Sequence, residues 1–241
     1  MLEIRPGSQG PADIRRGYDA LYGATPLDQT ASFYLEMYGH LAARAGQRLL
    51  DVACGSGMLV ALAERGGLTA VGLDISKVAV HSGRRQHGLR RMVIGAGENL
   101  PFKDETFDLV TVIGSLEHFF DPAQGAREVR RVLKPGGKAV ILVPNTFSLT
   151  HVLYVWRMGD VFDDGQPLQR YATRRQWQRL LEQAGLEVLT VRRYERERPR
   201  CMADWLQYLR RPGRLLRWLF GRVMPLDAVN CFVFVCARPE A

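Results

Sequence analysis

Between residues 48 and 143, short uninterrupted apolar runs take turns with stretches of helical character, and this alternation limits what the chain can fold into more than any other feature. Runs at 48–53, 69–73, 91–94, 109–113 and 139–143 are interleaved with helix-forming segments at 58–65, 77–87 and 123–133. LLDVA, LVTVIG and AVILV are continuous rather than alternating in polarity, as strands covered on both faces must be. Strands joined by helical crossovers give a mostly parallel sheet, an α/β architecture. Ahead of this region, 18–45 carries Phe33, Leu35, Met37, Tyr38 and Leu41 and stops at Gly46, which predicts one or two helices lying over the core. Beyond Pro144 the rhythm is lost over 145–170. Thr173 and Gln176 then form a capping-box pattern that opens a helix ending at Gly185, and strands are expected at 187–193 and 229–237.

With 241 residues, 46% of them hydrophobic, and no repeat or low-complexity linker, the chain reads as a single domain. A helical cap (1–47) precedes a core (48–145), and two variable segments (146–170 and 199–225) are left to choose a ligand. No run of roughly 20 apolar residues is present to span a bilayer. Four cysteines without a CxxC pair, and an N-terminus without an apolar leader, lead us to expect a cytoplasmic protein.

The most informative stretch is Leu49-Leu-Asp-Val-Ala-Cys-Gly-Ser-Gly57, a buried strand running into Gly55-x-Gly57 and then a helix. Glycines at such a turn let backbone approach a ligand closely and aim helix N-terminal amides at it. Asp74 ends the second strand, where a carboxylate accepts hydrogen bonds from ribose hydroxyls. Two nucleoside cofactors compete, a dinucleotide and S-adenosylmethionine. The dinucleotide fingerprint needs glycine at position 60, where this chain has Val60. Asp51, four residues before Gly55, is badly placed for a pyrophosphate but well placed for an ammonium group.

LLDVACGSG, VGLDIS, GENLPFKDETFDLVTVIGSLEHF and RVLKPGGKAVILVPN, in this order, resemble the class I S-adenosylmethionine-dependent methyltransferases, particularly the small-molecule branch that includes ubiquinone and menaquinone biosynthesis enzymes. TRRQWQRLLEQAGLEV is similar to the family's later helix, so the resemblance covers most of 48–195. It implies a doubly wound, Rossmann-like, seven-stranded, mostly parallel sheet with an antiparallel last strand. It also implies that Asp51, Ala53, Gly55 and Gly57 line the methionine half of the cofactor, that Asp74 holds the ribose, and that Ile75 packs on the adenine. Gly97 would offer its amide to the adenine ring, Gly114 and Ser115 would face the methyl group, and Tyr18 or Tyr22 would close over the cofactor. Ala53 replaces the first loop glycine, and Ala96 stands where many relatives carry an aspartate that grips the adenine amine; Glu98 is the substitute for that grip.

Methyl transfer needs a general base only where the acceptor must lose a proton. His118, after the fourth strand, and His151, after the fifth, are the candidates. His40, His81 and His87 read as helix-surface residues, and no His/Cys/Asp cluster has metal spacing, so no metal is expected. The expected reaction is O-methylation of a small or lipophilic metabolite. An RNA-directed methyltransferase and a non-catalytic S-adenosylmethionine-binding or membrane-docking module are the alternatives. The place after the fourth strand reads GSLEHF rather than an Asn/Asp-Pro-Pro-aromatic motif, and no RNA-binding module is recognisable, so nucleic acid is not favoured.

The net charge of +8 is uneven: residues 1–150 carry 17 basic and 15 acidic side chains, and 151–241 carry 16 and 10. From Arg192 to Arg222, ten arginines face three acids. Within this stretch 214–223 has the period of a basic amphipathic helix, with Leu215, Leu216, Leu219, Phe220 and Val223 on one arc. Such a helix either packs its apolar arc on the domain or, as part of 205–224, meets an anionic membrane surface peripherally. The sequence sets no oligomeric state.

Overall fold

The computed structural model describes residues 1–4, 10–24, 27 and 29–240. A short strand β1 (Leu2–Ile4) precedes helices α1 (Pro11–Ala24) and α2 (Ala31–Gly39). The alternating region follows as β2 (Arg48–Val52), α3 (Met58–Arg65), β3 (Thr69–Asp74), α4 (Lys77–His87), β4 (Met92–Ile94), β5 (Phe107–Ile113), α5 (Pro122–Val132) and β6 (Leu133–Pro144). The remainder forms α6 (Leu149–Met158), β7 (Gln169–Tyr171), α7 (Arg174–Gln183), β8 (Glu187–Tyr194), α8 (Met202–Arg210), α9 (Pro212–Gly221) and β9 (Cys231–Ala237).

Seven strands make one sheet in the order β4-β3-β2-β5-β6-β9-β8. Every neighbouring pair from β4 to β6 is parallel, whereas β9 runs antiparallel to both β6 and β8. The chain leaves β2 toward β3 and β4 on one side and returns to β5 on the other. The carboxyl ends of β2 and β5 therefore flank a topological switch point, the crevice where open α/β sheets bind ligands. This is the α/β, mostly parallel sheet with a reversed last strand that the motifs imply.

Each face of the sheet buries its own apolar layer, as continuous apolar strands require. On one face Phe33, Met37, Leu59, Val60 and Val80 of α2, α3 and α4 pack together. On the other, Val129 and Val132 of α5 and Trp177 and Leu181 of α7 pack with Phe107, Phe232 and Phe234. Trp177 is fully buried and donates its Nε1–H to the Pro144 carbonyl at 2.9 Å, so its one polar group is satisfied. The expected capping box at Thr173 is present in full.

The structure departs from the sequence reading in several places. Over 18–45 there are two helices, and α1 begins earlier, at Pro11. The arrhythmic 145–170 contains α6, which buries none of its residues and so has no burial-driven period to read, and it ends in β7. β7 pairs antiparallel with β1 in a separate two-stranded sheet. The amphipathic helix expected at 214–223 forms as α9, with Leu216, Leu219 and Phe220 exposed rather than packed on the domain. None of the described helices is long and apolar enough to cross a membrane.

Candidate active site

The loop after β2 is built by left-handed backbone. Ala53, Gly55 and Gly57 have φ of 57°, 56° and 81°, values that glycine adopts freely and alanine only at a cost of about 1 kcal/mol. Cys54 N–H donates to the Leu73 carbonyl at 3.0 Å, which ties the loop to the end of β3. Asp74, at that end, is buried and accepts Gly55 N–H on Oδ2 and Ser76 N–H on Oδ1, both at 2.8 Å. A carboxylate offers about four lone-pair positions, and with the Ile75 amide also contributing, not all are taken. Burial pushes its pKa up to about 6, against the pull of those amides.

Asp51, on β2, is 3% exposed, and Thr111 Oγ donates to its Oδ1 at 2.7 Å. Burial is the main cause that lifts its pKa to about 7, and the nearby Asp74 adds to it. A buried carboxyl held at this level gains most from a cationic partner. The loop 95–106 is fixed from α5: Arg131 donates to the Leu100 and Phe102 carbonyls and to Asp104, while Glu128 accepts Leu100 N–H at 2.7 Å. Gly97 lies against the Phe119 ring so closely that a Cβ there would come within 2.2 Å of it.

These groups border one cavity of about 660 Å³. Asp51, Ala53, Gly55, Asp74, Ile75, Gly97, Glu98, Gly114 and Ser115 all reach it, as do Tyr18, Tyr22 and His118. Tyr18 donates its hydroxyl to Gln166 Oε1 at 2.9 Å, and Asp19 accepts from Ser76 Oγ at 2.7 Å, which draws α1 across the opening. Glu98 accepts Phe120 N–H at 2.7 Å on one carboxylate oxygen. Gly57 does not border the cavity. A Cβ on it would meet Leu89 at 2.5 Å, so the absence of a side chain there secures the approach of Leu89 and Met92 to the loop.

The two histidines part company. His118 is buried at the cavity wall, and its Nδ1 lies 2.5 Å from the Leu168 carbonyl. A carbonyl only accepts, so Nδ1 carries the proton and Nε2 the lone pair. Nε2 stands 3.8 Å from Glu117 Oε1. Burial lowers the His118 pKa and raises that of Glu117 to about 8, so both are neutral near pH 7. His151 is not a cavity residue: its Nδ1 meets the Asn145 carbonyl at 3.1 Å, and its ring lies edge-on to Tyr171 and against Phe162. It lies half-buried in the first turn of α6, beside Tyr171 of β7.

Phe33, Tyr194, Glu195, Arg196, Asn230 and Cys231 also border the cavity, and sequence reasoning did not single them out. No motif marks them, because they arrive through α2 and the antiparallel β8–β9 pairing. Among the described residues no cluster of three or more His, Cys, Asp or Glu is disposed to hold a metal.

The residues fit S-adenosylmethionine. The buried carboxyl of Asp51 would suit its ammonium, and Asp74 would suit its ribose hydroxyls. Ile75 and Gly97 border the same cavity, where they would meet the adenine.

Comparison with known proteins agrees. A family profile described as "Methyltransferase domain" matches residues 50–141. The demethylmenaquinone methyltransferase of Corynebacterium kroppenstedtii is 37% identical over 119 residues, 47% of this chain and 51% of that protein. The chain spans about half the length of this relative and of the next three it matches, 51% to 56%. The demethylmenaquinone methyltransferase of Lysinibacillus sphaericus is 30% identical over 204 residues, covering 75% of this chain and 87% of that protein. The crystal structure of the [4+2]-cyclase SpnF superposes with a TM-score of 0.67 at 19% identity, over 98% of this chain and 100% of that one, a likeness of fold. The chain belongs to the class I S-adenosylmethionine-dependent methyltransferases of the menaquinone and ubiquinone type.

Proposed function

We propose that the chain acts as one methyltransferase domain that methylates a small, lipophilic, hydroxyl-bearing acceptor. One observation carries this reading: the cavity that holds Asp51 and Asp74 continues without a partition to an apolar wall of Phe33, Ile113, Leu142 and Tyr194. When bound, S-adenosylmethionine supplies a methyl group on a positively charged sulfur. Asp51 pairs with its ammonium, Asp74 with its ribose hydroxyls, and Gly114 and Ser115 border the place where the two halves of the cavity meet. Holding the acceptor in line with the methyl supplies much of the rate. α1, pinned through Tyr18 and Asp19, limits the water that competes for that space.

His118 is the proton acceptor in this reading. With Nδ1–H committed to Leu168, Nε2 takes the acceptor's hydroxyl proton, which serves transfer to the oxygen itself or to a ring carbon made electron-rich by the oxyanion. Oxygen is the atom expected from the sequence; the relatives' name, demethylmenaquinone methyltransferase, favours a quinol-like ring as acceptor. A lipophilic acceptor also suits peripheral contact with an anionic membrane through 205–224.

Incubating the purified protein with methyl-labelled S-adenosylmethionine and reduced naphthoquinones tests this. Label in an organic-extractable product supports it, and the product's carbon resonance separates a methoxy group from a ring methyl. Binding of S-adenosylhomocysteine without transfer to any hydroxylated ring would sink the catalytic reading and leave a binding module.

A further inference from the structure

Helices α8 and α9 each expose an apolar stripe. On α8, Met202, Trp205, Leu206 and Leu209 repeat at the spacing of one helix face, and all four are exposed, Met202 to 74% and Leu209 to 65%. On α9, Leu216, Leu219 and Phe220 do the same, with Val223 just beyond it exposed to 76%. Two polar groups turn inward: Asp204 is buried and accepts from Ser32 at 2.6 Å, and Arg217 pairs with the buried Glu195 at 3.2 Å, while Arg214 donates to the exposed Gln207 between the two helices. Trp218 joins the two helices by edge contacts with Trp205 and Tyr208, at 6.0 and 6.4 Å between ring centres. The two apolar stripes are thus built and held as a face.

Charge selects what covers it. All three acids between Arg192 and Arg222, namely Glu195, Glu197 and Asp204, are buried. Arg198, Arg200, Arg210, Arg211 and Arg222 are exposed around the stripes. The outward surface of this stretch is therefore apolar with an all-cationic rim. A second copy meeting it about a two-fold axis would set Arg210 and Arg211 against like charge. An anionic lipid surface meets both needs, since leucine, tryptophan and phenylalanine enter the interface while arginines reach headgroup phosphates. α6 exposes a third stripe, Leu149, Val152, Leu153 and Trp156, but Asp160, Asp163 and Asp164 follow it, so the charge argument does not extend to it.

We propose that α8 and α9 form a docking face for an anionic lipid bilayer and that an acceptor dissolved in that bilayer enters the cavity past Glu195. This rests on the lipophilic acceptor of the preceding reading and names where it comes from. Glu195 borders the cavity, pairs with Arg217 of α9 and accepts Asn230 N–H at 2.6 Å. A Cβ added to Gly221 would come within 2.6 Å of the Glu195 side chain, so the docking helix is packed directly on the cavity wall.

The test is co-sedimentation with phosphatidylglycerol–phosphatidylcholine vesicles and with phosphatidylcholine vesicles alone, at about 0.1 M salt where surface charge still acts. Calorimetric titration of S-adenosylhomocysteine and light scattering are run on the same samples. Wild type should pellet with the anionic vesicles only. Arg210→Gln with Arg211→Gln should weaken partition about fivefold per arginine, and Leu216→Ser with Phe220→Ser should abolish it. Both pairs contain only exposed side chains, so the thermal midpoint and S-adenosylhomocysteine affinity should stay unchanged. Equal binding to neutral vesicles, full retention by the arginine pair, or a dimer dissolved by the serine pair overturns the docking face. Wild-type protein that binds S-adenosylhomocysteine but pellets with neither vesicle refutes this inference alone, whereas wild-type protein that binds vesicles but not S-adenosylhomocysteine refutes the methyltransferase reading.

Discussion

If Asp51 pairs with the cofactor's ammonium as proposed, cofactor binding and folding should respond to pH in opposite directions. Burial holds its carboxyl at about 7 in the free protein, against an ordinary aspartate value of 3.8. Binding an ammonium beside it favours the charged form, so the bound carboxyl titrates far lower and ligand binding near neutral pH releases a proton. Affinity should be nearly flat above pH 7.5, about twofold weaker at pH 7, and about tenfold weaker for each further unit of acidity. Asp74, held at about 6, steepens the fall below that value. The free protein should show the reverse. A carboxyl whose folded pKa lies above its unfolded value favours folding most below the unfolded pKa, and that stability is lost as pH rises through the folded one. The rise from 3.8 to about 7 sets an upper limit on the order of 4 kcal/mol for this loss between about pH 4 and pH 7. The assay is titration of S-adenosylhomocysteine from pH 5.5 to 7.5 in two buffers of different ionisation enthalpy, with thermal unfolding of the free protein alongside. Asp51→Asn should bind weakly at every pH and release no proton at neutrality. A wild-type affinity that does not change with pH, or an Asn variant that keeps the same slope down to pH 6.5, would refute the assignment.

Other outcomes follow from the same geometry. His118→Gln should lower kcat by about 10²- to 10⁴-fold while S-adenosylhomocysteine affinity holds. Because the His118 pKa lies below its ordinary value of 6.5, the wild-type rate should fall only as pH drops through that lowered value, and the variant should lose this limb. Asp74→Ala leaves Gly55 and Ser76 amides unpaired and removes the ribose partner, which should weaken cofactor binding by about 2–3 kcal/mol; an unchanged Kd would be evidence against the ribose contact. Gly97→Val should abolish cofactor binding, because even its Cβ overlaps the Phe119 ring, and binding at the wild-type level would show that the slot yields. Trp177→Ala should cost about 3–5 kcal/mol in equilibrium unfolding, and a loss below about 1 kcal/mol would contradict its place in the core.

What the sequence disclosed follows from how each feature is encoded. The sheet from β2 to β6 was readable because strands buried on both faces must be apolar without interruption. The cofactor half of the cavity was readable because the turn after β2 needs small residues and the acid at the end of β3 lies at a fixed distance along the chain. Gly55 and Gly57 looked alike in that pattern, yet one faces the cavity and the other faces Leu89, a distinction set by packing. His151 seemed eligible as a base because it follows a strand at the mouth of the site; the pairing of β7 with β1, which places Tyr171 beside His151, had no local signal. The acceptor wall was invisible for the same reason, since Tyr194, Glu195, Asn230 and Cys231 are brought to it by register between β8 and β9. The pairing of Arg217 with the buried Glu195 likewise had no local signal, since the two lie 22 positions apart.

The position of β9 gives the two halves of the cavity different histories. β9 is the last strand in the chain, yet it lies between β6 and β8, pairing with β6 from Lys138 to Pro144 and with β8 from Glu187 to Tyr194. β8 has no other partner in the sheet. On the ribosome, β2 to β6 and the loops around Asp51 and Asp74 can assemble from residues already synthesised, because every pairing in that half joins strands that precede 145. The Tyr194 and Cys231 side of the cavity must wait: until 231–237 emerges, β8 has nothing to join and β6 keeps an open apolar edge. Under the proposed function, synthesis would complete the nucleoside side first and the acceptor side last, and a chain cut before β9 should carry the first without the second.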